Sequence, residues 1–378
     1  MNSTFKKINS WLHLWLGLAS GIVVCIVGIT GALYVFHQEI EDALEPWRFV
    51  EAQDKNFVPP SQLIDTAKRY VPGIEPTGLT YEDKEGAAAV GFISRENGKI
   101  AFKVVFMNPY TGEFIRLKEP LGEGRFNFFH FIEDGHRRLW LPQDIGSKIV
   151  GISTLIFLII LITGLIMWWP KKWSKQQLKR SLTIKRNSNS KRLILDLHNV
   201  MGFYILLFGC VFAITGLVWS FSWFGNSLYY LTSGGESKPE HEHPHSDIKN
   251  AHLADSDSIP AIDRAFYLTM QQFNNPQRIY MTPTLREEDE SIEIVVSLIK
   301  GKYYKHNEYF YDRYTLEPIR VKGDRYEESV FADKLDKMNY DIHTGAILGL
   351  PGKILAFFIS LIIASLPVTG FILWWNRR

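Results

Sequence analysis

Apolar residues gather in four long runs, roughly 11–36, 146–169, 198–221 and 350–375, with polar stretches between them. Each run reaches the about 20 residues a helix needs to cross a bilayer core, so four transmembrane helices are predicted. Between the runs the period changes. In 37–145, Pro59–Pro60 open a helical pattern, SQLIDTAKRY, with apolar Leu63, Ile64 and Ala67. AAAVGFIS (87–94) and IAFKVVFMN (100–108) then read as strands, closed by a Pro-Tyr-Thr-Gly turn at 109–112. In 222–345 the scheme recurs, with AIDRAFYLTMQQF (261–273) as helix and SIEIVVSLI (291–299) and YYKHNEYFY (303–311) as strands. A helix on an antiparallel sheet buries one face of each strand, so each stretch reads as a small α+β module. The expected fold is a membrane α-helical protein with four transmembrane helices and two extracytoplasmic α+β modules. Its expected segments are helix 1 (1–36), module 1 (37–145), helix 2 (146–169), a basic loop (170–195), helix 3 (196–221), module 2 (222–345), and helix 4 with its tail (346–378).

The two halves repeat one another. His13, Gly17, Cys25, Thr30 and Gly31 recur as His198, Gly202, Cys210, Thr215 and Gly216, each displaced by 185 positions. FMNPYTGEFIRLK (106–118) is echoed by FYDRYTLEPIRVK (310–322), and LITGLIMWWP (161–170) by LPVTGFILWWN (366–376). A tandem duplication is the reading.

Charge sets the expected orientation. Lys6 and Lys7, the run from Lys171 to Arg192, and Arg377 with Arg378 hold thirteen basic residues and no acidic one, although the net charge is only +2. Basic loops stay inside, so both termini and the 170–195 loop are expected in the cytoplasm and both modules outside. The first apolar run exceeds a signal h-region and lacks a small-residue cleavage site, so it is expected to be retained. Cys25 and Cys210 both fall mid-membrane, leaving the modules no disulfide. The short basic loop lacks an aromatic platform, and no nucleic-acid partner is expected.

Histidine placement carries the candidate chemistry. His13 and His198 lie near the cytoplasmic mouths of helices 1 and 3, while His136 and His343 lie just outside the starts of helices 2 and 4. One such residue alone would read as an interfacial histidine. Recurrence in register instead places two imidazoles across a pseudo-symmetry axis, and ionisable groups near membrane depth default to function. Two imidazoles without cysteine or carboxylate partners are poor for tetrahedral zinc. Ligation by two histidines between helices is what a b-type haem needs. His13 with His198, and His136 with His343, are the expected ligand pairs for two haems b. His37, at the outer end of helix 1, and His130 are reserves for the outer site. His130 and His136 would lie about 240° apart on a helix and cannot both face one centre.

Other features are weighed against simpler roles. The rows Gly17, Gly21, Gly28, Gly31 and Gly202, Gly209, Ala213, Gly216 suit either a flat macrocycle or close helix packing. Arg137 and Arg138 can pair with haem propionates or an anionic substrate, or simply snorkel. Trp168–Trp169 and Trp374–Trp375 fit an interfacial aromatic belt. HEHPH at 241–245 lies in a polar loop, and stray divalent metal is all it is expected to bind. GxGxxG, P-loop and CxxCH motifs are missing from the sequence, and two cysteines in different helices exclude covalent c-type haem.

With the closing NPYTGE turn, the modules resemble PepSY domains. HLWLGLASGIVVCIVGITGALYVF and HRRLWLP…ITGLIMWWP resemble PepSY-associated transmembrane helices, and the resemblance covers essentially the whole chain. It extends to iron-regulated inner-membrane proteins that include bacterial ferric-siderophore reductases. The resemblance implies electron transfer through membrane haem, from a cytoplasmic-side donor to a ferric siderophore in the periplasm, with His13, His136, His198 and His343 as the motif histidines. The second copy departs from the pattern: HRRLW becomes HTGAI at 343–347, and PYTG becomes RYTL. Two alternatives stand beside an oxidoreductase. PepSY modules also resemble inhibitory pieces of protease propeptides, implying a non-enzymatic regulator of a periplasmic partner. A metal transporter comes last, since four helices are few for alternating access and no intramembrane Asp or Glu is present.

Overall fold

The structure is a computed structural model that describes residues 3–376, except 97–98, 123–125, 171–172, 241–242, 257–258, 274 and 286. The first half contributes helices α1 (Ser3–Tyr34), α2 (His37–Leu44), α3 (Pro60–Tyr70), α4 (Phe128–Arg138) and α5 (Gln143–Trp168). Next come α6 (Lys175–Leu182), α7 (Ser190–Asp196), α8 (Gly202–Tyr204), α9 (Leu206–Ser220) and α10 (Ser222–Thr232). The last are α11 (Ala261–Met270), α12 (Phe331–His343) and α13 (Leu350–Trp375). The chain forms two compact units: a helical one from residues 1–38, 128–235 and 339–378, and a sheet-containing one from 39–127 and 236–338.

In the helical unit, three helices are long and apolar enough to cross a bilayer, or four if the segment Ser190–Tyr204 plus Leu206–Ser220 is one span. That segment bends by 62° at Ile205, and a π-helical stretch, Leu197–Met201, lies within it. Sequence alone predicted a single transmembrane helix 3 over 196–221. The helical segment in fact starts within the loop expected at 170–195, where Asn189 caps α7 by accepting from the Arg192 amide. Ser174 caps α6 in the same loop. Val24, Phe157, Leu161, Ile205, Ala213, Ile359 and Ile363 form the core where α1, α5, α9 and α13 meet. Small residues bring the helix backbones close: a β-carbon on Gly28 would lie 2.9 Å from the Ser360 carbonyl oxygen, and one on Gly21 would lie 3.1 Å from the Pro367 side chain. For these two glycines the structure shows helix packing.

The other unit holds strands β1 (Pro76–Glu82), β2 (Ala88–Glu96), β3 (Lys99–Met107), β4 (Phe114–Leu121), β5 (Arg278–Met281), β6 (Ile292–Ser297), β7 (His306–Tyr311) and β8 (Pro318–Ile319). Their order is β4-β3-β2-β1-β5-β6-β7-β8, with every neighbouring pair antiparallel. Two separate sheets were expected; one continuous sheet is found. The join is β1 against β5, from Leu79↔Met281 to Glu82↔Arg278. Leu63, Ala67, Ala265 and Phe266 of α3 and α11 share one core with Leu79, Tyr81, Ile279 and Met281. The two helices are tied by Asp263, which accepts from the Ser61 amide at 2.8 Å and the Ser61 hydroxyl at 2.6 Å. The RYTL departure keeps the turn: Gly112 (φ 73°) is matched by a left-handed Leu316 (φ 60°). Their amides donate to Asn108 and Asp312 carbonyls at 2.8 and 2.9 Å.

Candidate metal centre in the helical unit

Four Thr-Gly steps organise the site. Each lies on a long helix segment, and each faces one of the four predicted histidines. A β-carbon would lie 2.9 Å from His136 Cε1 at Gly31, 3.1 Å from His13 Cε1 at Gly164, 3.6 Å from His343 Cε1 at Gly216 and 3.2 Å from His198 Cε1 at Gly370. At Gly31, Gly164 and Gly370 glycine is what lets the imidazole lie so close to the neighbouring backbone, whereas the contact at Gly216 is an ordinary one. His13 Nδ1 then meets Thr163 Oγ1 at 3.0 Å, His198 Nδ1 meets Thr369 Oγ1 at 2.9 Å, and His343 Nδ1 meets Thr215 Oγ1 at 2.8 Å. His136 departs from this pattern, its Nδ1 meeting the Val27 carbonyl at 2.9 Å.

These partners decide the tautomer. A carbonyl only accepts, so His136 carries its proton on Nδ1. Each threonine hydroxyl has one proton, and each donates it to its own helix: Thr163 to Ile160 O at 3.0 Å, Thr215 to Val211 O at 2.6 Å and Thr369 to Leu366 O at 3.0 Å. The hydroxyls can then only accept from the imidazoles. All four rings are held with Nδ1–H donating, and no Nε2 has a hydrogen-bond partner among the described residues. A backbone or side-chain acceptor on one ring nitrogen is the usual support for metal ligation by the other. Burial also holds His136 and His343 below the ordinary histidine range, in the neutral form a ligand needs; the neighbouring His136 adds to this for His343.

The histidines meet in the expected pairs. Ring centroids are 6.3 Å apart for His13 and His198, and 6.0 Å apart for His136 and His343. Metal–imidazole bonds of about 2.0–2.1 Å on opposite sides of one ion put ring centres about 6 Å apart, so both spacings fit two trans ligands. Among the described residues no three His, Cys, Asp or Glu side chains gather as a metal cluster. A metal here would have only two protein nitrogens, and the rest of its coordination must come with it, as a tetrapyrrole's does. The donor set fits haem. His13 lies near one end of α1, while His136 docks on Val27 and Gly31 near the other. At 1.5 Å per residue the tiers are about 20–27 Å apart along α1.

A cavity of about 640 Å³ takes in the outer pair, lined by His136, His343, Val27, Gly28, Gly31, Val150, Phe157, Phe212, Ala213 and Gly216. That is within the usual cofactor range of about 300–1,000 Å³. Arg137 also lines it, exposed and paired with Glu133 at 2.9 Å. Arg138 is tied to Asp134 at 2.6 Å. His37 stacks on Tyr34 with centroids 4.2 Å apart, and His130 Nε2 lies 3.8 Å from Asp134; neither reserve residue joins the His136–His343 pair. The HEHPH tract falls partly on residues 241–242, outside the described residues. His245 lies 3.0 Å from Asp289, in the sheet unit. Sequence reasoning missed the threonine partners. Their recurrence was visible in the repeat, but which histidine each would face depends on helix packing.

Helices of membrane-crossing length with two internally paired histidine tiers define a membrane protein built around the bundle. The chain belongs to the PepSY-associated TM region family, which it matches over residues 10–377. Comparison with curated proteins finds no match.

Proposed function

We propose that this chain is a haem-containing oxidoreductase of the bacterial inner membrane, which carries electrons outward to reduce a ferric siderophore or similar ferric chelate and releases iron(II). The observation that carries the reading is the two pairs of imidazoles, each ring held at Nδ1 with no Nε2 partner among the described residues, and with ring centroids 6.3 and 6.0 Å apart within the pairs. His13 and His198 would hold a haem b at the cytoplasmic tier, and His136 and His343 another at the outer tier. Bound there, haem supplies a one-electron carrier. Two tiers divide a hydrocarbon core about 30 Å thick into shorter steps, where one would leave most of it uncrossed. Arg137, at the cavity wall, offers its guanidinium to a propionate or to an anionic chelate. Iron(II) binds the hard oxygen donors of siderophores less tightly than iron(III), so reduction drives release.

The orientation follows from the basic segments: four spans, both termini and the 170–195 loop cytoplasmic, and the large modules periplasmic. The electron donor then works from the cytoplasmic side. The test is a reduced-minus-oxidised spectrum with a haem-to-protein ratio, followed by anaerobic addition of ferric siderophores to the reduced protein. Haem reoxidation together with capture of iron(II) by a chelator is expected. Haem that stays reduced with every chelate removes the acceptor assignment. Protein without haem removes the mechanism and leaves the regulatory reading.

A further inference from the structure

Each pair contains one histidine with a second fastening and one without. Asn9 lies four residues before His13 on α1. Its Nδ2 donates to the Thr163 carbonyl at 3.0 Å, while His13 Nδ1 meets the hydroxyl of the same threonine. Asn339 lies four residues before His343 on α12. It repeats the arrangement, donating to the Thr215 carbonyl at 3.1 Å while His343 Nδ1 meets Thr215 Oγ1. Residues four apart share a helix face, so amide and imidazole grip one threonine by both of its polar groups. Asn9 and Asn339 are buried, at 5% and 7% exposure. The matching positions before His198 and His136 are Ile194 and Ile132, which have nothing to donate.

The surroundings repeat the asymmetry. His343 is further crowded by Phe212 and Trp219, with ring centroids at 5.8 and 5.3 Å. His198 sits in the π-helical stretch Leu197–Met201, a local departure from α-helical hydrogen bonding. We propose that Asn9 and Asn339 are positioning residues that make His13 and His343 the fixed ligand of each centre, with His198 and His136 the ligand that yields. This rests on the haem reading above and deepens it. The Thr163 and Thr215 carbonyls already accept within their own helices, so deleting either amide unties two helices locally without orphaning an acceptor.

Purified full-length protein is compared with His13→Ala, His343→Ala, His198→Ala, His136→Ala, Asn9→Ala and Asn339→Ala. The readouts are haem stoichiometry, spin state by EPR, and haem capture by excess apomyoglobin. His13→Ala and His343→Ala should each lose one haem. His198→Ala and His136→Ala should keep both, one having become five-coordinate and high-spin. Asn9→Ala and Asn339→Ala should each weaken haem retention about 10–100-fold at one centre, the range typical for residues supporting a ligand, and change the low-spin g-values of that centre only. Four histidine variants that lose haem alike, asparagine variants that match wild type, or variants that disturb both centres together would overturn the proposal while the haem reading stands. A wild-type protein without haem overturns the functional reading itself, and this one with it. The two asparagines are independent copies of one arrangement, so if one variant does not accumulate the other decides.

Discussion

Gly31 and Gly216 stand in matching positions before the two outer histidines, yet alanine should affect them oppositely. At Gly31 the new methyl would lie 2.9 Å from His136 Cε1 and 3.1 Å from Nδ1. Carbon atoms in good contact sit about 3.5–4.0 Å apart, so the ring or the helix must give by about 0.6–1 Å. Overpacking of this kind costs about 1–3 kcal/mol. The same shift breaks the 2.9 Å bond from Nδ1 to Val27, and a buried donor left unsatisfied costs about 1–3 kcal/mol more. Alanine's better helix propensity returns only about 1 kcal/mol. Gly31→Ala should therefore lose about 1–5 kcal/mol, concentrated at the outer pair. At Gly216 the nearest His343 atom would be 3.6 Å away, which is ordinary contact, so propensity wins and the variant should be neutral or stabilised by about 1 kcal/mol. The assay is the outer low-spin haem signal per mole of protein, with thermal unfolding in detergent alongside. A Gly31→Ala protein with its outer signal intact, or a Gly216→Ala protein equally damaged, refutes the reasoning.

Thr163→Val strips the acceptor from His13 Nδ1–H and should shift the inner signal alone, while Thr163→Ser should restore it; identical spectra for both would contradict the tautomer argument. In the sheet unit, Asp263→Ala orphans the Ser61 amide and should lower unfolding stability by about 1–3 kcal/mol, read by denaturant titration. Burial of Asp312 opposes its ionisation, but the amides of Thr315, Asp247 and Tyr314 outweigh it and hold the carboxyl below its ordinary 3.8. That contribution is complete above 3.8 and is lost as pH falls through the lower folded value, so Asp312→Asn should flatten the acid limb of the pH–stability curve. Leu316→Gly relieves a left-handed leucine, worth about 1–2 kcal/mol. It also forfeits a buried side chain worth about 1.5–3 kcal/mol and adds chain entropy, so melting should fall.

How much was legible in sequence follows the range of the interactions involved. The long apolar runs and the strands from AAAVGFIS and IAFKVVFMN carry their periodicity locally, and β2 and β3 stand where that pattern put them. The strands β1 and β5 were missed: RIYM is short, PTGLTYE carries a proline and a glycine, and besides its neighbour in its own half each pairs with the other across the two halves. That pairing is what turns two expected sheets into one. The bend at Ile205 also escaped, because no proline marks it and Gly202 reads equally well as a helix-packing residue. For the site, repetition exposed the histidines, since a duplicated residue keeps its register whatever the packing. The Asn9 and Asn339 fastenings left no trace in the repeat. They occur on different elements, α1 and α12, and only helix packing shows that they do the same thing.

The β1–β5 join also has a consequence for how the protein is made. A ribosome adding about 5–20 residues per second takes about 10–40 s to travel from the end of β1 to the start of β5. Through that interval Leu79 to Glu82 present an open strand edge, which will pair with any extended chain that reaches it. The first half cannot complete this sheet alone, and a transcript broken between the halves would yield a product inclined to seek a second copy of itself. Shelter for β1 during synthesis is thus a requirement of the topology.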